Sequence, residues 1–236
     1  MSVKQASSDR SHMYPARWAR VTAIALSVSF ILSACAGQGS ATFGEFASAL
    51  SQDSLGGSKV RTYETVSDLL PGERRTESSA ERALAVIVAE VESLAEGVAY
   101  RIDNGGPELT TLGFDSPDAQ WRDASLNVTV SEVIDDGMTN LEVGQAIAIR
   151  VIVPLDWPIE KIEAAYLSKP RALIFLGSDA LSDSYRVLSG TGEFYLPINK
   201  DGTLDLSLVS PETLSDLREV PRSLDDVRKA AHDARS

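Results

Sequence analysis

The chain has 236 residues, 43% of them hydrophobic and only 6% aromatic, with 34 Asp/Glu against 22 Lys/Arg and a formal charge of −12. Such a surface repels polyphosphate and argues against a nucleic-acid partner. A single cysteine excludes a disulfide framework, and the length suits one sizeable domain with tails.

Residues 1–16 form a long polar lead. Two cations, Arg17 and Arg20, then precede an apolar run from Val21 to Ala34. This run is too short to span a bilayer as a helix, which takes roughly 20 apolar residues. A positive flank, a short apolar stretch and small residues at its end are the features of a secretory signal. Arg17-Trp18-Ala19-Arg20 is not a twin-arginine pair, which points to the general secretion route. The run closes on Leu32-Ser33-Ala34-Cys35. An aliphatic residue, two small ones and a cysteine in that order resemble the lipobox of bacterial lipoproteins. The resemblance implies cleavage after Ala34 and acylation of Cys35, leaving residues 35–236 outside the cytoplasm on a lipid anchor.

Removing residues 1–34 takes away four of the 22 cations and one of the 34 anions, leaving 18 against 33 and a charge of −15. The mature part offers no basic patch for anionic lipid, so its expected hold on the bilayer is the acyl group on Cys35. With that thiol acylated, the domain is held by its core alone. Residues 36–59 are rich in Ala, Gly, Ser and Gln. They bury too little to offset their ordering entropy and read as a flexible tether, 35–60, although Phe43, Phe46 and Leu50 are spaced for a short amphipathic turn.

Residues 65–72 predict a short helix or turn stopped by Pro71-Gly72, followed by a charged connector over 73–82. Residues 83–94 are apolar throughout at first and then alternate, as in a strand whose start is covered on both faces. Helix competes there because Ala and Glu are frequent; β-branched Val86, Ile87, Val88 and Val91 tip the reading to strand. Turn chemistry at Asn104-Gly105-Gly106-Pro107 and Ser116-Pro117-Asp118 makes 97–120 a long loop or a frayed hairpin. Residues 125–134 alternate, with Leu126, Val128 and Val130 inward and Asn127, Thr129 and Ser131 outward, and end at Asp135-Asp136-Gly137. A strand over 144–153 closes at Pro154, and an excursion follows with Trp157-Pro158 and a helical turn over 159–167. Residues 171–177 are nearly all apolar and read as a central strand. Residues 185–188 and 192–198 read as a hairpin around Ser189-Gly190-Thr191. Asn199-Lys200-Asp201-Gly202 is a second hairpin turn, leading to a strand over 203–208. The tail, 211–236, is helical in two pieces, the second capped by Ser223 with Asp225 and Asp226 in its first turn.

The expected fold is mainly β, a small five- to six-stranded antiparallel barrel over 61–210 with short flanking helices. The segment order resembles a family of uncharacterised actinobacterial secreted proteins. The matching residues are 130–137, Gly144-Gln145-Ala146-Ile147-Ala148-Ile149, Ala172-Leu173-Ile174-Phe175-Leu176, and Gly192-Glu193-Phe194 with Asp201-Gly202-Thr203-Leu204. It is also similar to the OB-type barrels of netrin-like and tissue-inhibitor domains. Both resemblances imply strand order and bring no catalytic residue.

Chemistry is sparse. The mature chain keeps one histidine, His232, near the C-terminus, and a Ser/His/Asp triad needs an imidazole beside its serine. No zinc-ligand spacing occurs, and Gly190-Thr191-Gly192 lacks the pattern of a phosphate loop. Glu132 with Asp135-Asp136, and Asp201 with Asp205, are the carboxylate groupings open to calcium, but neither forms an EF-hand loop and both read as solvated turns. No cofactor or metal is expected. Trp157, Tyr166 and Trp121 are the candidates for a binding face, Trp157 foremost because loops on a rigid scaffold often carry recognition. Packing over one barrel end is the competing role. The favoured expectation is a non-enzymatic, membrane-anchored module that binds an envelope protein or ligand. A carboxylate-dependent envelope hydrolase, or an accessory subunit docking through 211–235, are the alternatives.

Overall fold

Period-two alternation in residues 121–135 drives the central element of the sheet. Buried Ala124, Leu126, Val128 and Val130 alternate with half-buried Ser125, Asn127 and Thr129, so one face meets the core and the other meets water. The computed structural model describes residues 41–52, 65–71, 82–102, 109–137, 139–178, 184–188 and 193–236. Lipobox residues Leu32, Ser33, Ala34 and Cys35 lie outside the described residues. All described residues belong to one compact unit, 39–236.

In chain order the elements are α1 (Phe43–Gln52), α2 (Val66–Leu69), β1 (Ala85–Ile102), β2 (Leu109–Leu112), β3 (Trp121–Asp135), β4 (Ala146–Val153), α3 (Ile159–Leu167), β5 (Arg171–Ser178), β6 (Tyr185–Val187), β7 (Tyr195–Pro197), α4 (Pro211–Asp216) and α5 (Leu224–Ala234). The fold is mainly β. Its sheet runs β2-β1-β3-β4-β6-β5-β7, and an additional β1–β5 pairing closes a ring of five strands, β1-β3-β4-β6-β5. All ring pairings are antiparallel except β4–β6. β1 pairs with β3 along nearly its whole length and with β5 only from Ala85 to Glu90. Residues 85–89 are buried on both faces, which explains their unbroken apolar run. Past Glu90, β1 loses β5. The freed amides of Val91 and Leu94 instead donate to the Pro170 carbonyl (2.6 Å) and the Glu163 carboxylate (3.1 Å), so α3 continues the edge that β5 leaves.

Several expectations need correction. The stretch read as a tether contains α1, whose Phe43, Phe46 and Ala47 are buried at 2%, 0% and 5% exposure. Spacing of i, i+3, i+4 puts these three on one helical stripe, and Thr42 and Glu45 cap the helix reciprocally. Three apolar side chains meeting an aromatic layer supply the burial that composition alone did not reveal. Of the two readings of 97–120, the hairpin holds: β1 runs on to Ile102 and β2 pairs antiparallel with it from Ala99 to Ile102. β6 and β7 are not a hairpin. Both run antiparallel to β5 on the same edge, with Phe175 bonded to Leu188 on one side of the interruption and Phe194 on the other. After the turn at 199–202, where Gly202 has φ +82°, the predicted strand shrinks to a bridge between Ile198 and Leu204.

The helical tail belongs to the same folded unit. Leu224, Val227 and Ala231 of α5 are buried, and the helix packs on α2 and β3. Arg228 clamps Glu132 with two bonds (2.9 and 2.6 Å) and reaches Asp225 at 2.8 Å. The Arg228 hydrogen bond holds the Glu132 carboxyl below its ordinary 4.5. A depressed folded-state value means that the pair stabilises the fold above about pH 4.5 and loses its effect as pH falls through the lowered value. Because Glu132 is largely solvated, Arg228→Ala is expected to cost only about 0.5–1 kcal/mol at pH 7. Urea midpoints of wild type and variant should converge as the pH falls well below 4.5. A gap unchanged by acid would show that Arg228 acts through packing instead.

Candidate functional site

Continuing the alternation of β3 upstream brings Trp121 and Asp123 to the outer face of the ring. Trp121 stands in register with Tyr100 of β1, and the two rings stack at 5.6 Å and 20°. Tyr100 is buried at 6% exposure, whereas Trp121 is half-buried, so the tyrosine backs the indole and holds it on the sheet. Asp123 lies two residues along, at 4% exposure. Its Oδ1 accepts the Val98 amide at 3.0 Å and its Oδ2 is 3.3 Å from Arg150 Nε of β4. The Arg150 guanidinium also donates to the Tyr100 hydroxyl (3.4 Å) and sits 5.9 Å over that ring. Three strands therefore contribute one aromatic pair and one ion pair to a single patch.

Backbone irregularity makes the patch possible. The β1–β3 register shifts between Glu96 and Ala99, and the Asp123 carboxylate tucks into the bulge. A Cβ on Gly97 would overlap that carboxylate and come within 2.7 Å of the Asp123 carbonyl oxygen. Gly97→Ala is therefore expected to cost about 1–3 kcal/mol, because backbone must move and the Val98–Asp123 bond is displaced. Chemical denaturation checks this; a loss below about 0.5 kcal/mol would mean the bulge yields freely.

Along the same outer face lie Ser93, Ser125, Asn127, Thr129, Ala146 and Ala148, all half-buried or exposed. Asn127 Nδ2 donates to Ser93 Oγ at 3.0 Å. The result is an outer face of small side chains, four of the six polar, with the Tyr100–Trp121–Asp123–Arg150 constellation at one end.

The structure does not bring the three sequence candidates together. Trp121 lies on the outer face. Trp157 and Tyr166, at 7% and 1% exposure, lie under α1 in an aromatic layer with Phe43, Phe46 and Tyr195. Lys161 sits 3.5 Å over the Trp157 ring, and burial pushes the Tyr166 and Tyr195 hydroxyls well above the ordinary tyrosine range. Both Trp157 and Tyr166 occupy packing positions. Sequence reading missed Tyr100, Asp123 and Arg150. The available signals were the period-two pattern, which extends back to Trp121, and an arginine at an outward position of an otherwise apolar strand.

His232 is exposed, with Nδ1 3.5 Å from Asp233. Among the described residues no group of three or more His, Cys, Asp or Glu side chains is placed to hold a metal, and no helix is long and apolar enough to cross a membrane. A hollow between Phe175, Phe194, Leu206, Leu214 and Leu217 is lined by apolar side chains alone and offers no chemistry. Comparison of the chain with family models, curated proteins and solved structures gives no match.

Proposed function

We propose that the chain is a lipid-anchored, extracytoplasmic lipoprotein of the cell envelope whose β domain is a non-enzymatic binding module. The observation that carries the anchoring is Leu32-Ser33-Ala34-Cys35 behind a positively flanked apolar run, at the one cysteine of the chain. The five-strand ring is read as an OB-type barrel. Supporting this, β1, β3 and β4 follow one another as neighbours, α3 connects β4 to β5, and β6 inserts between β5 and β4, parallel to the latter. Barrels of that kind commonly bind ligands on an outer strand face beside their loops. In this chain that face carries Trp121, Tyr100, Asp123 and Arg150.

Intact mass and membrane fractionation of wild type and Cys35→Ala test the anchoring. The wild type is expected in the membrane fraction, beginning at Cys35 and bearing acyl mass, with the variant soluble or unprocessed. A full-length, unacylated wild type in the soluble fraction would overturn the reading.

A further inference from the structure

We propose that the outer face of β1, β3 and β4 binds a neutral saccharide chain, with Trp121 as its stacking platform and Arg150, anchored from behind by buried Asp123, as its hydroxyl donor. This rests on the reading of the domain as a binding module and goes beyond it by naming the ligand chemistry. A sugar ring presents two kinds of surface: a C–H face that packs on an aromatic ring, and an edge of hydroxyls that both donate and accept. The patch offers a partner for each. Trp121 is half-exposed and its orientation is set by the Tyr100 stack, so ordering it on binding costs little. Arg150 donates to the hydroxyl edge, and buried Asp123, 3.3 Å away and fixed by the Val98 amide, together with the Tyr100 hydroxyl holds the guanidinium in place. Arg150 keeps 27% of its side chain exposed. Beyond them Ser93, Ser125, Asn127 and Thr129 continue the surface as small donors and acceptors. They recur about every 6.8 Å along a strand and about 4.8 Å across it, a spacing on which successive sugar units can be read.

The same features disfavour other ligand classes. A peptide recognised as an added strand needs a free sheet edge, but β3 is paired on both sides through this patch. A peptide recognised by side chains needs apolar pockets for its anchors, and this face is lined mainly by small side chains. A polyanion meets a domain of strong negative charge, and the nearby cations Arg150 and Arg101 each face a carboxylate, Asp123 and Asp118. A neutral, polyhydroxylated chain has no such penalty.

The test uses the mature chain in detergent micelles. Amide and indole resonances are followed while neutral tetrasaccharides of N-acetylglucosamine, glucose and mannose are added, beside neutral tetrapeptides and oligothymidylate. At least one tetrasaccharide is expected to shift the Trp121 indole and the amides of Ser125, Asn127 and Arg150 saturably. Trp121→Ala should weaken that binding at least tenfold and Trp121→Phe less, with an unshifted Trp157 indole resonance showing that the variants fold. Asn127→Ala, a surface change, should weaken it several-fold. If the peptides or the oligonucleotide move these resonances and no sugar does, the saccharide assignment falls and the binding face stands. If no probe moves them, or a sugar binds with equal strength after Trp121→Ala, this face is not the sugar site. In the case of no response from any probe, the binding-module reading loses its support as well.

Discussion

Phe46→Ala is expected to destabilise the domain by about 3–5 kcal/mol, the range for truncating a fully buried phenylalanine. Phe46 has no exposed surface, and its ring meets Tyr166 at 5.0 Å, Phe43 at 5.8 Å and Trp157 at 6.1 Å. Removing it opens a cavity where three large rings converge. Those rings are rigid and meet one another tilted or edge-on, so they can collapse into the space only partly. The effect should appear in urea denaturation of the mature chain, followed by Trp157 fluorescence, which reports from the same layer. A chain whose residues 43–52 were mere tether would show a change within about 0.5 kcal/mol, the ordinary surface value, and that result would remove α1 from the core. Ser48→Ala, exposed on the same helix, is the control and should be nearly neutral.

Arg122→Met is expected to cost about 2–5 kcal/mol through unmet hydrogen bonds rather than lost volume. Arg122 is 3% exposed and points inward from β3. Its Nε and Nη2 donate to the Pro154 carbonyl at 3.0 and 2.7 Å, Nη2 also donates to the Trp157 carbonyl, and Nη1 meets Asp115 at 3.2 Å. The guanidinium lies 4.2 Å over the Phe114 ring. One side chain thus satisfies two carbonyls in the turn between β4 and α3, where the chain leaves the sheet. Methionine keeps much of the packing and supplies no donor, so those carbonyls are stranded. Asp115, at 81% side-chain exposure, simply returns to water and adds little. Arg122→Lys should recover only part of the loss, because a point charge cannot match the planar fork. Equal stability of the methionine variant and wild type would show that water replaces the guanidinium.

Both predictions concern residues whose main packing or bonding partners were invisible along the chain. Phe43 and Phe46 stood in an Ala/Gly/Ser-rich stretch, and a window average cannot show that two phenylalanines will find Tyr166 and Tyr195, more than a hundred residues away. Arg122 had only exposed Asp115 as a nearby partner, and its buried acceptors are backbone carbonyls 32 and 35 residues on. The hairpin predicted over 185–198 failed for a related reason. Turn residues at 189–191 suit a reversal, but both flanks gain more by pairing with the buried β5 than with each other.

What the sequence determined alone was local and periodic. Alternation placed β3 with Leu126, Val128 and Val130 inward, Pro154 marked the end of β4, and an apolar run identified β5 as central. The Ser223 cap placed α5, and Leu32-Ser33-Ala34-Cys35 supplied the expectation of lipidation. The strand and helix signals survive because each depends on neighbours within one turn or one strand; the lipidation signal lies outside the described residues. Tertiary structure decided closure of the ring, which requires β1 to exchange β5 for α3 after Glu90, a pairing of residues some eighty apart. It also decided which aromatics are available. Trp157 and Tyr166 are covered by a helix from the far end of the chain, and Trp121 is left at the surface with Tyr100, Asp123 and Arg150. Side-chain identity does not say which face a neighbouring strand or helix will cover; only packing does.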